Sequence, residues 1–486
     1  MTSQEKTPQT KTASANTTRR DFLKTSAIGT AALSVPYVWT SSSAKAMGPN
    51  DQKTIACIGI GGSRGAYSRG GKIARLANPL GRMIAVCDVD GLHTAEFNKE
   101  MGGTLNEYTD YRKLFENEKP DVVVIGTPDH WHVPISVHAL RAGADVYCEK
   151  PLTLTIGEGK IIKQVVEETG QVFQVGTQQR SEMNQLFMYA TAIVRSGRLG
   201  DNVNAYVAIG GSKKGGPFET VDVPENLDWD LWLGPAAKVG YSPERRQAFR
   251  WFLEYSGGKM TDWGAHHIDI AQWALQLDNT GPSRVSGKGS LPPVIPDDFE
   301  WKKYLDGELE LPNSFNTAMS FNIDLTFEAG NVISVNNEYT RDEINFGNGI
   351  MFEGDKGRIF VNRGKLQGKI VQEMFGANLE QKGIQETIGN LDEATRTEFD
   401  AAFKELHYGK APMSQMENFF ACLDDRSKPC SDVVTHVNTM NSCHLCNLNL
   451  MLGRDLEWDP AAGDFIGDDQ ASALRERKRR EGFELV

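Results

Sequence analysis

The sequence has no apolar run of the roughly 18 residues needed to cross a bilayer as a helix, which excludes a polytopic membrane protein. It has no surplus of positive charge: 52 Lys and Arg stand against 64 Asp and Glu, a formal net charge of −12. That balance argues against nucleic acid as a partner. The one basic cluster, residues 475–480, contains Glu476 and reads as a solvated helix face. Internal repeats are absent. Cysteine is scarce, seven in 486 residues, too few for a disulfide-built scaffold. Cys57, Cys87 and Cys148 fall in apolar, strand-like segments and read as small buried hydrophobes. Cys443 and Cys446 have C-x-x-C spacing, but inside a helical pattern with no two further ligands nearby, so no metal site is expected. What remains is a globular composition, 40% hydrophobic and 24% charged, with length for two or three domains.

Residues 1–46 read as a leader. A polar opening gives way to Thr18-Arg19-Arg20-Asp21-Phe22-Leu23-Lys24. A short apolar stretch, residues 25–39, follows, then the small-residue site Ala44-Lys45-Ala46. Basic, apolar and small-residue regions in that order make a signal peptide. The Arg pair followed by Phe-Leu-Lys resembles a twin-arginine signal, which places the protein in the periplasm or otherwise outside the cytoplasm.

Beyond the leader, short buried strands alternate with helices. Residues 53–59 form an apolar run that ends in glycine, and residues 83–87, 121–126, 145–148 and 172–175 repeat the pattern. Helical stretches over 134–142 and 157–169 lie between them. The spacing predicts a doubly wound parallel sheet. Gly59, Gly61, Gly62, Ser63 and Arg64 follow the first strand, as a loop that cradles a pyrophosphate would. Counting G-x-G-x-x-G from Gly59 puts Arg64, not glycine, at the third position. Asp88 closes the second strand, where a carboxylate accepts from ribose hydroxyls and repels a 2′-phosphate. NAD is therefore favoured over NADP.

Three further motifs carry chemistry: Thr127-Pro128-Asp129-His130-Trp131-His132, Glu149-Lys150-Pro151, and the thirteen residues from Gly257 to Asp269. Asp262 and His266 are four apart, a spacing that puts them on one helical face, where the carboxylate would favour a charged ring. Lys150, at the end of a parallel strand, points to the crevice where such sheets bind ligands. Together these motifs resemble the glucose–fructose oxidoreductase / inositol dehydrogenase family (Gfo/Idh/MocA), whose E-K-P and G-G-x-x-x-D-x-G-x-H-x-x-D patterns both stand here in full. The close of the chain, residues 452–460, looks like the exported bacterial branch of that family.

The resemblance implies NAD-dependent chemistry, with His266 as acid/base and with Lys150 and Asp262 orienting the substrate hydroxyl. It places Thr127, Pro128, His132, Glu149 and Lys150 beside the cofactor, together with the glycine loop and Asp88. Gln178, Gln179, Arg180, Trp251 and Tyr255 are candidate sugar contacts. The implied fold is an α/β Rossmann domain over residues 51–180 and an α+β domain over 181–410, built on a large, mostly antiparallel sheet. Residues 411–460 would form helices that return toward the nucleotide domain, and 461–486 a tail. Residues 281–316, rich in Pro, Gly and Asp, read as a surface excursion. A homo-oligomer, dimer or tetramer, is implied. The expected function is an NAD(H)-dependent oxidoreductase, with tightly bound cofactor, acting on a carbohydrate: a sugar, polyol or glycoside. The alternatives are a redox-neutral glycosidase or lyase that oxidises its sugar transiently, and a non-catalytic sugar-binding protein.

Overall fold

The computed structural model describes residues 52–61, 68–341 and 344–485. The leader therefore lies outside the described residues. Six strands come first: β1 (Thr54–Ile58), β2 (Arg82–Cys87), β3 (Asn106–Tyr108), β4 (Val122–Ile125), β5 (Asp145–Glu149) and β6 (Phe173–Gly176). All pair in parallel, in the order β3-β2-β1-β4-β5-β6. The buried runs, such as Val-Val-Val-Ile of β4, suit strands covered on both faces. The helix Ile156–Thr169 starts where Thr155 Oγ1 accepts from the Glu158 amide and stops at Gly170 in the left-handed region. β3 escapes the hydrophobic pattern because Asn106 and Glu107 are exposed. The strand order reverses between β1 and β4, which opens a crevice at their C-terminal ends.

The second sheet has ten strands. In chain order they are β7 (Asn204–Ala208), β8 (Arg284–Ser290), β9 (Ser320–Thr326) and β10 (Val332–Asn336), then, past a hairpin of β11 (Tyr339–Arg341) and β12 (Ile344–Phe346), β13 (Gly349–Gly354), β14 (Gly357–Val361), β15 (Lys365–Gln367), β16 (Leu379–Glu380), β17 (Leu456–Asp459) and β18 (Asp464–Phe465). Their order is β16-β15-β14-β13-β7-β10-β9-β8-β17-β18. β7 and β10 run parallel, and the other neighbours are antiparallel.

The stretch 281–316 is not the surface excursion expected. It contributes β8, paired on both sides, and a helix, Trp301–Leu305, that buries Trp301 and Tyr304. The strand was hidden because Arg-Val-Ser-Gly-Lys-Gly-Ser holds one large apolar residue. Its glycines answer to packing: a Cβ on Gly289 would lie 2.1 Å from Ser320 O.

The helix Val433–Leu452 belongs to two cores. Val433 and Val437 pack under the parallel sheet, while Met440, Cys443, Cys446 and Leu448 pack into the core of the second sheet. The cluster 475–480 is not a helix face. The chain is irregular there, and its arginines turn inward. Among the described residues no helix is long and apolar enough to cross a membrane.

Candidate active site

A cavity of about 580 Å³ opens at the crevice of the parallel sheet. Its floor is glycine. Gly59 has φ +78°, and its amide donates to Cys87 O at 2.8 Å. Gly61 donates its amide to Asp88 Oδ2 at 2.7 Å. Gly62, Ser63 and Arg64 lie outside the described residues. The next helix, Arg69–Ala77, brings Gly70 against the strand: a Cβ there would sit 1.7 Å from Gly59 O. Gly126, after β4, packs on the other side, where a Cβ would lie 2.4 Å from Gly70 Cα. Gly70 thus takes the helix-packing task of the third fingerprint glycine, which the count from Gly59 assigned to the Arg64 position. Asp88 lines the cavity, nearly buried, and also accepts from the Asp90 amide at 2.9 Å.

The loops after β4 and β5 form the next wall. His132 is buried, with Nδ1 2.7 Å from Pro151 O and Nε2 3.0 Å from Thr127 O, so it ties the two loops together. Burial pushes its pKa down. Thr127 Oγ1 is buried and has no hydrogen-bond partner among the described residues. Glu149 accepts from Arg69 Nε at 2.8 Å and from Gln178 Nε2 at 3.0 Å. Lys150 Nζ donates to Asp262 Oδ1 at 2.7 Å and to Asp262 O at 2.9 Å. Arg250 Nε stands 3.4 Å from the same carboxylate oxygen. Burial would raise the Asp262 pKa, but Lys150 and Arg250 hold it down at about 2. His266 lines the cavity with these groups, and its Nδ1 is buried without a hydrogen-bond partner among the described residues. Burial, and then the charge of Lys150, push its pKa well below the usual histidine value.

A glycine floor, an acidic residue at the end of β2 and an orphaned Thr127 hydroxyl suit a dinucleotide. Residues 53–177 match the oxidoreductase family described as an NAD-binding Rossmann fold, and residues 210–291 match that family's C-terminal alpha/beta domain. Both segments match the Gfo/Idh/MocA oxidoreductase family and support its fold here. An uncharacterized oxidoreductase of Bacillus subtilis, YfiI, is 33% identical over 120 residues, which cover 24% of this chain and 30% of that protein. A glycosyl hydrolase family 109 protein of Shewanella baltica is 26% identical over 192 residues, covering 36% of this chain and 39% of that protein. The chain therefore spans about a third of the length of the curated relatives it matches. The WlbA dehydrogenase of Chromobacterium violaceum, solved with NADH and UDP-GlcNAcA, superposes with a TM-score of 0.54 at 15% identity, covering 84% of this chain and 96% of that one.

Within the Gfo/Idh/MocA fold the remaining candidates separate. Gln178 lines the cavity. Gln179 does not; its Nε2 lies 3.3 Å from His266 O and 3.2 Å from His267 Nδ1. Arg180 is fully buried away from the cavity, in a bidentate pair with Asp269 at 2.7 and 2.8 Å. It is a structural clamp, not a sugar contact. Trp251 and Tyr255 also fall outside the cavity lining, in an aromatic core with Trp232 and Phe252. Asp262 does not pair with His266 as their spacing suggested. One helix closes at Asp262 and the next begins at Gly264, so the carboxylate turns to Lys150. The ring is consequently held neutral rather than charged.

Several polar cavity residues fall outside the sequence-based candidates, among them Asp129, Arg246, Arg250 and Arg363. Asp129 lies inside the Thr-Pro motif, and Ser256 Oγ donates to its Oδ2 at 2.5 Å. Arg246, Arg250 and Arg363 come from distant segments. Arg363 stacks 4.6 Å from the centroid of Trp263, itself a lining residue. The basic residues near the Gly-Gly pair were the one available signal.

Proposed function

We propose that the protein is an NAD(H)-dependent oxidoreductase that moves hydride between a carbinol carbon of a sugar, polyol or glycoside and the nicotinamide. One observation carries the reading: His266, neutral and with an Nδ1 that has no partner among the described residues, shares one cavity with the Lys150–Asp262 pair and the glycine floor. When bound, NAD supplies the hydride acceptor. Lys150 spends two of its three N–H groups on Asp262 and keeps one for the carbinol oxygen. His266 takes the hydroxyl proton, and its neutral ring is free to accept it. Lys150, Arg250 and Lys259 all act on Asp262, and these cations favour the developing alkoxide. The names of the family 109 and WlbA relatives, both concerned with sugars, support a carbohydrate substrate.

A second reading, redox-neutral cleavage of a glycoside through transient oxidation, is favoured by Asp129. Burial pushes this carboxyl up to about 6, so it can carry a proton that a departing oxygen needs and that hydride transfer alone does not use. Aglycone release without NADH accumulation would select it. The twin-arginine pattern of residues 18–24 supports export with the cofactor already bound, since free NAD is scarce outside the cytoplasm.

The first test is mass spectrometry of nucleotide released by denaturing the purified protein. One NAD(H) per chain is expected. A protein that carries none and binds no added NAD overturns the proposal. In the second, His266→Gln is expected to lower turnover by about 10²- to 10⁴-fold while retaining NAD. Unchanged turnover would move the base elsewhere.

A further inference from the structure

Two opposing signals for the cofactor's ribose meet at the end of β2. Asp88 is the carboxylate that accepts from a 2′-hydroxyl and repels a 2′-phosphate. Arg246 lines the same cavity, and it comes from the second half of the chain, on the short helix Pro243–Gln247. A guanidinium beside the ribose is the usual means of binding a 2′-phosphate. In this protein its charge is answered by a second carboxylate. Arg246 Nη2 lies 2.5 Å from Oδ2 of Asp90, which is wholly buried. Asp90 Oδ1 is occupied as well, by the Leu92 amide at 3.0 Å and by Asn226 Nδ2 at 2.6 Å. His93 fills the space between: Nδ1 is 3.4 Å from Asp88 Oδ1, and Nε2 is 3.6 Å from Asp90 Oδ2 and 3.5 Å from Arg246 Nη2. Burial opposes a charged His93, but Asp88 and Asp90 raise its pKa above the usual value.

We propose that Asp90 and Arg246 set the cofactor preference, and that the Asp90 carboxylate is the element that keeps this Arg-containing site closed to NADP. With Asp90 charged, Arg246 is neutralised and Asp88 decides for the 2′-hydroxyl. With Asp90 uncharged, Arg246 and His93 face the ribose against Asp88 alone, and a 2′-phosphate finds a cationic partner. The arrangement cannot be read from the Asp-Val-Asp triplet, because Arg246 stands 156 positions away from Asp90. The inference rests on the dinucleotide-binding reading of the cavity.

The test is a competition. Full-length protein is equilibrated with a tenfold excess of NADP over NAD, desalted and denatured, and the released nucleotides are counted by mass spectrometry. Wild type is expected to carry NAD. Asp90→Asn, which keeps an acceptor for the Leu92 amide, is expected to raise the bound NADP-to-NAD ratio by at least about tenfold. Adding Arg246→Gln to that variant should abolish the gain. An Asp90→Asn protein with a wild-type melting transition and an unchanged ratio overturns the proposal. So does a double variant that keeps the gain. Should Asp90→Asn fail to fold, Asp90→Ser takes its place and must raise the ratio in the same way; an unchanged ratio in a folded Asp90→Ser protein overturns the proposal. Wild type that binds neither nucleotide refutes the dinucleotide reading itself, a result distinct from an unaltered preference.

Discussion

Asp129 stands apart from the other buried carboxylates around the cavity. Asp262 has Lys150 and Arg250, and Glu149 has Arg69, but Asp129 has a hydroxyl donor, Ser256. A buried carboxylate without a direct ion pair is costly to ionise, and burial outweighs the nearby charges of Arg250 and Lys150 and pushes its pKa up to about 6. The folded-state value lies above the unfolded one of about 3.9, so the native state holds its proton longer than the unfolded state does. Stability then falls as pH rises between those two values and stays reduced above them. Asp129→Asn should therefore raise the unfolding free energy at pH 7.5 by on the order of 2–3 kcal/mol. At pH 3.5 the gain should largely vanish. Urea unfolding at the two pH values measures this, and an equal gain at both would show that the carboxyl's charge is not the cause. Residues in contiguous motifs, such as Lys150 and His266, could be singled out because those motifs carry the family resemblance, and the structure places both on one cavity. The partners that set their chemistry could not be, since Arg250 and Arg363 arrive through the fold.

The glycine-strand-helix contact shows how an element's start is fixed by packing rather than by motif count. The helix Arg69–Ala77 approaches β1 so closely that only hydrogen fits on Gly70. Gly70→Ala places a methyl group 1.7 Å from Gly59 O, so the helix must move off the strand and the dinucleotide floor must widen. A cost of about 1–3 kcal/mol is expected from overpacking, together with loss of retained NAD. Gly91, where an added Cβ meets nothing within 4 Å, is the matched control, and Gly91→Ala should retain nucleotide. Thermal melts and released-nucleotide counts for the two variants test the contact; an intact, NAD-loaded Gly70→Ala protein would refute it. Gly264 makes a similar contact. A Cβ there would lie 2.9 Å from Cys443 Sγ, so Cys443 packs against the His266 helix. Strands with strong apolar runs were legible, whereas β8 depends on glycines that matter only once β9 lies beside them.

At the scale of the whole molecule, the parallel sheet and the second sheet are joined by the Val433–Leu452 helix and by the C-terminal segment. That segment packs behind residues that line the cofactor cavity. Arg477 Nη1 donates to Leu253 O at 2.5 Å, and Arg479 pairs with Glu158 of the Ile156–Thr169 helix. Arg480 donates to Gly234 O and Asp230 O, each at 2.7 Å, and to Asp230 Oδ1 at 2.6 Å. Phe483 packs edge-on against Trp131 at 5.6 Å. Trp131, Leu231 and Trp232 line the cavity, so these contacts press one side of the cleft onto the other. Gly234 has no room for a side chain because Trp131 lies over it. The part-buried, charge-assisted bond from Arg480 to Gly234 O is of a kind that contributes about 1.5–3 kcal/mol, those to the exposed Asp230 contribute less, and part of that must be given up for the wall to open. Arg480→Ala combined with Phe483→Ala should therefore speed NAD release by roughly ten- to a hundredfold, equivalent to about 1.4–2.8 kcal/mol, while the chain remains folded. Stopped-flow displacement of bound NADH measures the rate. An unchanged rate in a folded double variant would show that the cleft opens elsewhere and that the segment serves only to join the two sheets.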